Sequence, residues 1–228
     1  MTQLLFFTLV PVIAAIAGAG FASMKEPDKR FMSLIHHFTA GVIFSAVAIE
    51  VLPSLKNQPP VAVICGGIFG MIVMLTMQYI DESGRHKFVF LYVVGMDIFI
   101  DGFILGLGYA DGLKTGYVLT LALTIETLFL GLSVVPDIKQ VTGRLSGKMF
   151  FVTGLALLLP LGSLPGYAVS SFDKFWFVFS FAFGLAALLY LVTEELLVKA
   201  HEEKGHSRYG TIFFFFGFMV LMLLEEGL

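Results

Sequence analysis

The chain has 228 residues, of which 57% are hydrophobic and 14% are charged, and its formal net charge at pH 7 is −3. Soluble domains carry about 25% charged residues, so this composition excludes a soluble globular domain and indicates a polytopic membrane protein. The absence of a basic patch argues against nucleic acid as a partner, and the single cysteine, Cys65, excludes an intramolecular disulfide and a thiolate metal cluster.

Eight apolar stretches are long enough to cross the hydrocarbon layer of a bilayer, which is about 30 Å thick. The first stretch has no Lys or Arg before it, which favours a retained transmembrane helix over a cleaved signal peptide. Short polar segments separate the stretches, so neighbouring helices are expected to be antiparallel. We therefore predict one all-α transmembrane domain over residues 1–228, with helices near 3–23, 32–53, 60–80, 88–109, 116–136, 148–168, 174–198 and 210–227.

The basic residues are distributed unevenly among the seven predicted loops. The first, third, fifth and seventh loops hold eleven of the fourteen Lys and Arg residues. Because cytoplasmic loops carry the excess of Lys and Arg, the odd-numbered loops are predicted to lie inside and both termini outside. The short loops and this bias favour a multi-pass protein of a bacterial inner (plasma) membrane.

The second and seventh predicted helices resemble each other. Each contains a glycine, an apolar run and an acid nine or ten residues later, Glu50 in one helix and Glu194 in the other. Since the two helices run in opposite directions, the similarity predicts an inverted repeat of helices 1–3 and 6–8 around the central pair 4–5. Such repeats, with a site near the midplane, are typical of transporters. Two Gly/Ala-rich membrane helices that are alike in composition alone are the alternative explanation.

Three carboxylates lie in the middle of the fourth and fifth predicted helices. Asp97 and Asp101 are spaced i, i+4 and share one helix face. At a rise of 1.5 Å per residue they lie about 13 and 19 Å from one membrane face, and Glu126 lies about 15 Å from the other. An intramembrane acid costs roughly 2.5–3.5 kcal/mol, and neither predicted helix contains a basic residue. The pattern therefore predicts a site for a divalent cation at half-depth.

The ligand chemistry of this site favours hard cations. Carboxylate oxygens suit Mg, Ca, Mn and Fe(II) better than zinc, and the hydroxyl of Thr127, next to Glu126, is a candidate accessory ligand. Two other interpretations stay open: acids that are protonated and only hydrogen-bonded, and a proton relay. A metal-dependent hydrolase is disfavoured, because that chemistry wants histidine ligands and no histidine lies at midplane depth. We expect no enzyme.

These motifs resemble those of the ZIP (Zrt/Irt-like) divalent-metal transporters, over nearly the full length of the chain. The family's fourth helix carries a His-Asn-x-x-Asp/Glu-Gly pattern, which residues 97–102 match as DIFIDG. Its fifth helix carries a His/Gln-Glu/Asp-x-Pro-Glu-Gly pattern, matched by residues 126–131 as ETLFLG. Residues 194–223 resemble the family's seventh and eighth helices.

The chain departs from the family at positions that bind metal. Asp97 and Ile98 replace the histidine and asparagine of the fourth helix, Leu130 replaces the second acid of the fifth, and the acid of the sixth is replaced near Leu159. Family members often hold two metal ions, whereas Asp97, Asp101 and Glu126 are enough for one. We therefore expect a mononuclear, oxygen-rich site.

The resemblance implies a function and a set of partners. It implies eight helices in a 3+2+3 arrangement with both termini outside, and transport of a divalent cation (zinc, iron or manganese) into the cytoplasm. No prosthetic group is expected; the partners are the metal ion and the lipid bilayer, and a homodimer is left open. A non-transporting or metal-sensing relative that has lost part of a binuclear site is the alternative.

Polar residues near the predicted helix ends are candidates for the ion's path. His37, Glu195 and His201 lie at the inner ends of the second and seventh helices, close to the exit that the resemblance implies. Glu50 lies at the outer end of the second helix, where it could attract cations. The alternative is that these are interfacial side chains that reach for water.

Overall fold

The computed structural model describes residues 2–24, 27–83, 87–138, 145–202 and 209–227. Within these ranges the chain is helical apart from short connections, and no strand occurs there. Seven of the described helices are long and apolar enough to cross a membrane. The all-helical, membrane-type character predicted from the composition is therefore confirmed.

We number the long helices α1 to α8, and their boundaries differ from the predicted ones by up to four residues. They are α1 Thr2–Met24, α2 Lys29–Ser54, α3 Pro60–Ser83, α4 Lys87–Asp111, α5 Leu113–Ile138, α6 145–171, α7 174–202 and α8 Gly210–Glu226. Helix α6 is interrupted at Leu157, three residues before Pro160, because proline has no N–H with which to continue the hydrogen-bond ladder. Helix α8, with 17 residues, is of the same apolar character.

The helices pack as four parallel pairs, in which glycines allow the two backbones to touch. In the pair α4–α6, a Cβ added to Gly102 would lie 2.0 Å from the Leu159 carbonyl oxygen, and one added to Gly162 would lie 2.1 Å from that of Phe99. The same close approach occurs at α1–α5 (Gly18, Gly131), α2–α8 (Gly41, Gly217) and α3–α7 (Gly66). Small residues at helix contacts are the usual means of association in membranes.

One end of the bundle contains the one-residue turn between α4 and α5, and we call it the Gly112 end. Phe7 of α1 stacks on Tyr109 of α4, and Glu225 of α8 forms an ion pair with Lys114 of α5. The start of α1 and the end of α8 therefore lie on the same face of the bundle. At the opposite end, which we call the Lys199 end, the Ser33 hydroxyl of α2 donates to the Ala200 carbonyl of α7 at 2.7 Å.

Two helices contain a segment of π-helix at comparable places. In α2 this segment is Val47–Val51, which includes Glu50, and in α7 it is Leu191–Leu196, which includes Glu194 and Glu195. A π-bulge inserts a residue into the turn and changes the direction in which nearby side chains point, and such bulges occur often at functional sites.

Candidate metal centre

The structure brings Asp97, Asp101 and Glu126 together inside the bundle. One carboxylate oxygen from each lies within 4.8 Å of the corresponding oxygens of the other two. The side chains are 6%, 4% and 4% exposed, respectively. We call these three residues the carboxylate cluster.

The local structure that forms the cluster follows from the two central helices. Asp97 and Asp101 lie one turn apart on α4, and the short connection at Gly112 returns the chain as α5 beside α4, with Glu126 facing them. Behind α4, the contact of Gly102 with Leu159 holds α4 tightly against α6. The backbone on both sides of the cluster is therefore packed, and its position depends on helix contacts rather than on a loop.

One oxygen of the cluster has no hydrogen bond within the described part of the chain. Glu126 Oε2 is buried and has no hydrogen-bond partner there. Buried carboxylates are normally paired, hydrogen-bonded or bound to a metal, because an isolated charge in a low dielectric is costly. This oxygen is therefore available to a ligand that brings a positive charge or a proton.

The electrostatic environment of the cluster is mainly acidic. Glu195 of α7 interacts electrostatically with all three carboxylates. Lys199, one turn further along α7, interacts with Asp97, and its Nζ lies 3.4 Å from Glu195 Oε2. The main charge interactions of Asp101 and Glu126 are with other acids.

Glu195, which was predicted to lie on the ion's path, is thus an electrostatic neighbour of the cluster, whereas Glu194 lies elsewhere. Glu194 lines a groove of about 630 Å³ between α3 and α7, together with Gln78 and Tyr190, which hydrogen-bond to each other. In the sequence, the similarity between the second and seventh helices aligns Glu194 with Glu50. Glu195, the next residue, interacts electrostatically with the cluster, and the π-helical segment that contains both acids is the local feature that changes their directions.

Thr127 was predicted as an accessory ligand, and the structure places its hydroxyl elsewhere. Thr127 Oγ1 lies 2.8 Å from the Leu123 carbonyl and 2.9 Å from the Pro11 carbonyl of α1. It also lines the contact region of α1, α5 and α6. A residue next to Glu126 on a helix points about 100° away from it, so the Thr127 hydroxyl joins α5 to α1 and does not face the cluster.

Glu50 lies at the Gly112 end and is separate from the cluster. It accepts a hydrogen bond of 2.9 Å from the Thr115 hydroxyl, and the neighbouring Ser54 hydroxyl donates to Asp111 at 2.6 Å. These contacts join α2 to α4 and α5 at one surface of the bundle.

His37 and His201 meet at the Lys199 end. Their ring centroids are 5.1 Å apart. In each ring Nδ1 faces the backbone carbonyl four residues earlier, at 2.8 Å from Ser33 O for His37 and 2.6 Å from Leu197 O for His201. A carbonyl only accepts, so Nδ1 carries the proton in both rings and Nε2 is the basic nitrogen when they are neutral. The structure brings the two predicted histidines together, although not with the cluster.

Lys199 is the residue that sequence reasoning missed. It lies at an exposed helix end, where a lysine four residues after a glutamate usually indicates only a surface ion pair. No local signal relates it to Asp97, 102 positions earlier in the chain.

No protein-family model and no curated protein sequence matches this chain. The similarity to ZIP transporters therefore stays a proposal, and the geometry of the cluster is the main basis for a function.

Proposed function

We propose that this protein transports a divalent metal cation across a membrane, in the manner of a divergent ZIP transporter, and that Asp97, Asp101 and Glu126 bind the ion. The observation that carries this proposal is the convergence of three buried carboxylates within 4.8 Å, deep in a bundle of apolar helices. A charged group retained at such a position usually marks an ion pathway or a proton relay.

The size of the cluster suits one ion. Calcium–oxygen bonds are about 2.3–2.6 Å and magnesium–oxygen bonds about 2.0–2.1 Å, so two oxygens on opposite sides of one such ion are about 4.0–5.2 Å apart. The spread of 4.8 Å lies within this range. Leu130 and Leu159 stand where the related transporters carry further acids, and Leu159 is fully buried against Gly102. We therefore propose a mononuclear site of hard oxygen ligands, with manganese and iron(II) favoured over zinc.

The helix contacts support the proposed 3+2+3 inverted repeat. Such a repeat makes α1, α2 and α3 equivalent to α6, α7 and α8, respectively, and α4 equivalent to α5. The pair α1–α5 then corresponds to the pair α6–α4, and the pair α2–α8 corresponds to the pair α7–α3. All four pairs are present. The same exchange relates the π-helical segments of α2 and α7. An architecture of this kind would allow the repeat helices to rock against α4 and α5 and so alternate access to the cluster.

The excess of basic residues in the odd-numbered loops assigns the Lys199 end to the cytoplasm and the Gly112 end to the outside. Glu50 would then meet the ion at the outer face. Glu195, His37 and His201 would bind the ion on the inner side, because these side chains lie between the cluster and the Lys199 end or at that end. We propose net movement inward along this path in a bacterial inner membrane.

Transport assays with the purified protein in proteoliposomes test this proposal. Uptake of Mn, Fe(II), Zn, Mg and Ca would be compared between the wild type and the variants Asp97→Asn, Asp101→Asn and Glu126→Gln. Glu194→Gln is the matched control, since it removes a carboxylate from the same membrane region but outside the cluster. Wild-type uptake in all three cluster variants would refute the proposed site.

A metal sensor without transport is the second candidate, favoured by the replacement of the second-site acids by Leu130 and Leu159. It predicts that purified protein binds the metal through the cluster, seen as a thermal shift that Asp101→Asn abolishes, while no ion accumulates in the vesicles.

A further inference from the structure

A long groove of about 630 Å³ runs between α3 and α7 on the outside of the bundle. On α3 its lining extends from Val63 to Gln78, which is about 22 Å at a rise of 1.5 Å per residue. Half of the hydrocarbon layer of a bilayer is about 15 Å thick. The groove is therefore long enough for one acyl chain of the leaflet at the Lys199 end. Most of its lining residues are apolar or small, namely Val63, Gly67, Met71, Leu75, Ala182, Leu185, Ala186 and Leu189.

The part of the groove nearest the Lys199 end is polar, and it is lined by Gln78, Tyr190, Thr193 and Glu194. The Tyr190 hydroxyl donates to Gln78, and the Thr193 hydroxyl donates to the Leu189 carbonyl at 3.0 Å. Since the Thr193 proton is engaged in this way, the hydroxyl oxygen can meet a ligand only as an acceptor. This part of the groove therefore presents a carboxylate and a hydroxyl oxygen to a ligand that donates hydrogen bonds.

Glu194 is exposed on the side of α7 that faces the lipid, inside the apolar span Lys174–His201. That span has 28 residues, so it is about 42 Å long, comparable to a bilayer of about 40–45 Å with its head groups. Glu194 lies about 10 Å before the end of the span, close to the boundary between head groups and acyl chains.

The charge of Glu194 has no partner in the described part of the chain. The residue makes no hydrogen bond or ion pair with another described residue, and none of the described residues that line the groove is basic. An acid within a membrane-spanning helix is costly unless a cation pairs with it. In a bilayer, the cationic group found at this depth is that of a lipid head group.

We propose that the groove binds one phospholipid whose head group carries a protonated primary amine, of the phosphatidylethanolamine type, with an acyl chain along Gly67 and Ala186 and the ammonium at Glu194. A primary ammonium offers three N–H donors, which suit the Glu194 carboxylate and the Thr193 oxygen. The carboxylate would repel an anionic head group, and a trimethylammonium head group has the charge but no N–H. This lipid site is separate from the carboxylate cluster and holds whether or not the protein transports metal.

Native mass spectrometry of the purified protein tests the recognition of the head group. The protein in detergent is titrated with phosphatidylethanolamine, phosphatidylcholine and phosphatidylglycerol of identical acyl chains. The wild type should bind phosphatidylethanolamine about fivefold more tightly than phosphatidylcholine, the upper range for an exposed ion pair, and phosphatidylglycerol most weakly. Glu194→Gln should bind the three lipids alike. Glu195→Gln, which removes the neighbouring acid outside the groove, is the matched control and should keep the preference.

A substitution that fills the groove tests where the lipid binds. Nothing lies within 4 Å of a Cβ added to Gly67, so a phenylalanine there can enter the groove without separating α3 from α7. Gly67→Phe should lose the tight binding of phosphatidylethanolamine at an unchanged unfolding temperature. Gly154→Phe, on α6, is the control because its added Cβ also meets nothing within 4 Å, and it should bind as the wild type does.

Three results would overturn the proposal. The first is equal binding of the three lipids by the wild type, and the second is a preference for phosphatidylethanolamine that persists in Glu194→Gln or in folded Gly67→Phe. The third is a wild-type dimer that Gly67→Phe converts to a monomer, since a second copy of the chain would then occupy the groove. The comparison with Glu194→Gln decides the matter even if Gly67→Phe does not fold.

Discussion

Two groups of acids in this protein differ in how their charges are satisfied. At the Gly112 end, Glu50 accepts from Thr115, Asp111 accepts from Ser54, and Glu225 is paired with Lys114. In the carboxylate cluster, Glu126 Oε2 has no hydrogen-bond partner among the described residues, and the charged neighbours are mostly further acids. The first group is completed by the protein itself. In the second group the protein leaves Glu126 Oε2 without such a partner, which is why we propose the metal site there.

The largest effect should come from neutralising an acid of the cluster. Asp101→Asn should lower metal uptake by about a hundredfold or more, since changes only in the surroundings of a metal site already cost about 10–100-fold in affinity or activity. It should also abolish the stabilisation by metal that we expect of the wild type in thermal unfolding, which is about 2.7 kcal/mol at a metal concentration of 100 times Kd.

The same substitution should not damage the fold. Replacement of a buried acid by an amide removes its repulsion with the neighbouring carboxylates, so metal-free Asp101→Asn should unfold at or above the wild-type temperature. Unfolding at a much lower temperature would show that Asp101 stabilises the fold, as the acids at the Gly112 end do, and would contradict the difference between the two groups of acids.

The second effect concerns the packing that positions the cluster. In Gly102→Ala the new Cβ would lie 2.0 Å from the Leu159 carbonyl oxygen, so α4 and α6 must separate. Overpacking of this kind costs about 1–3 kcal/mol, and we expect a lower unfolding temperature together with weaker uptake. Gly154→Ala in α6 is the control, because nothing lies within 4 Å of its added Cβ. Equal behaviour of the two variants would contradict the proposed close contact.

A third, intermediate effect is expected for Glu195, which lies near the cluster but is less buried. Glu195→Gln should slow uptake about tenfold, as expected for the loss of one charge interaction, and should leave metal affinity within a few-fold of the wild type. Uptake rate and equilibrium binding, measured on the same preparation, check this. A loss of binding as large as that of Asp101→Asn would make Glu195 a fourth ligand instead.

The smallest effect should come from the Gly112 end. Thr115→Ala removes the donor to Glu50 and should cost about 1.5–3 kcal/mol of stability, the range for a hydrogen bond to a charged group. Metal binding should be unchanged and uptake should stay within about twofold. If this variant instead lost metal binding, Glu50 would belong to the binding site, and the distinction between the two groups of acids would disappear.

The helical, apolar character of the chain and the shared helix face of Asp97 and Asp101 were predictable because both depend on short-range patterns. Apolar runs of about 20 residues report membrane-spanning helices, and the i, i+4 spacing puts Asp97 and Asp101 on one face whatever surrounds them. The directions of Thr127 and of Glu194 and Glu195 could not be predicted in the same way. Thr127 is turned by its contact with Pro11 of α1, and the two glutamates by a π-helical segment that regular helical spacing does not anticipate.

The amino-acid sequence by itself determined that the chain is a bundle of apolar helices with three acids in the middle of two of them, because hydrophobicity and helical spacing act over a few residues. Only the tertiary structure decided which oxygens converge, that Glu194 lines a separate groove, and that Glu195 and Lys199 interact electrostatically with Asp97. These relations join α4, α5 and α7, whose residues are far apart along the chain. They arise from glycine-mediated packing of one helix on another, which the local sequence does not specify.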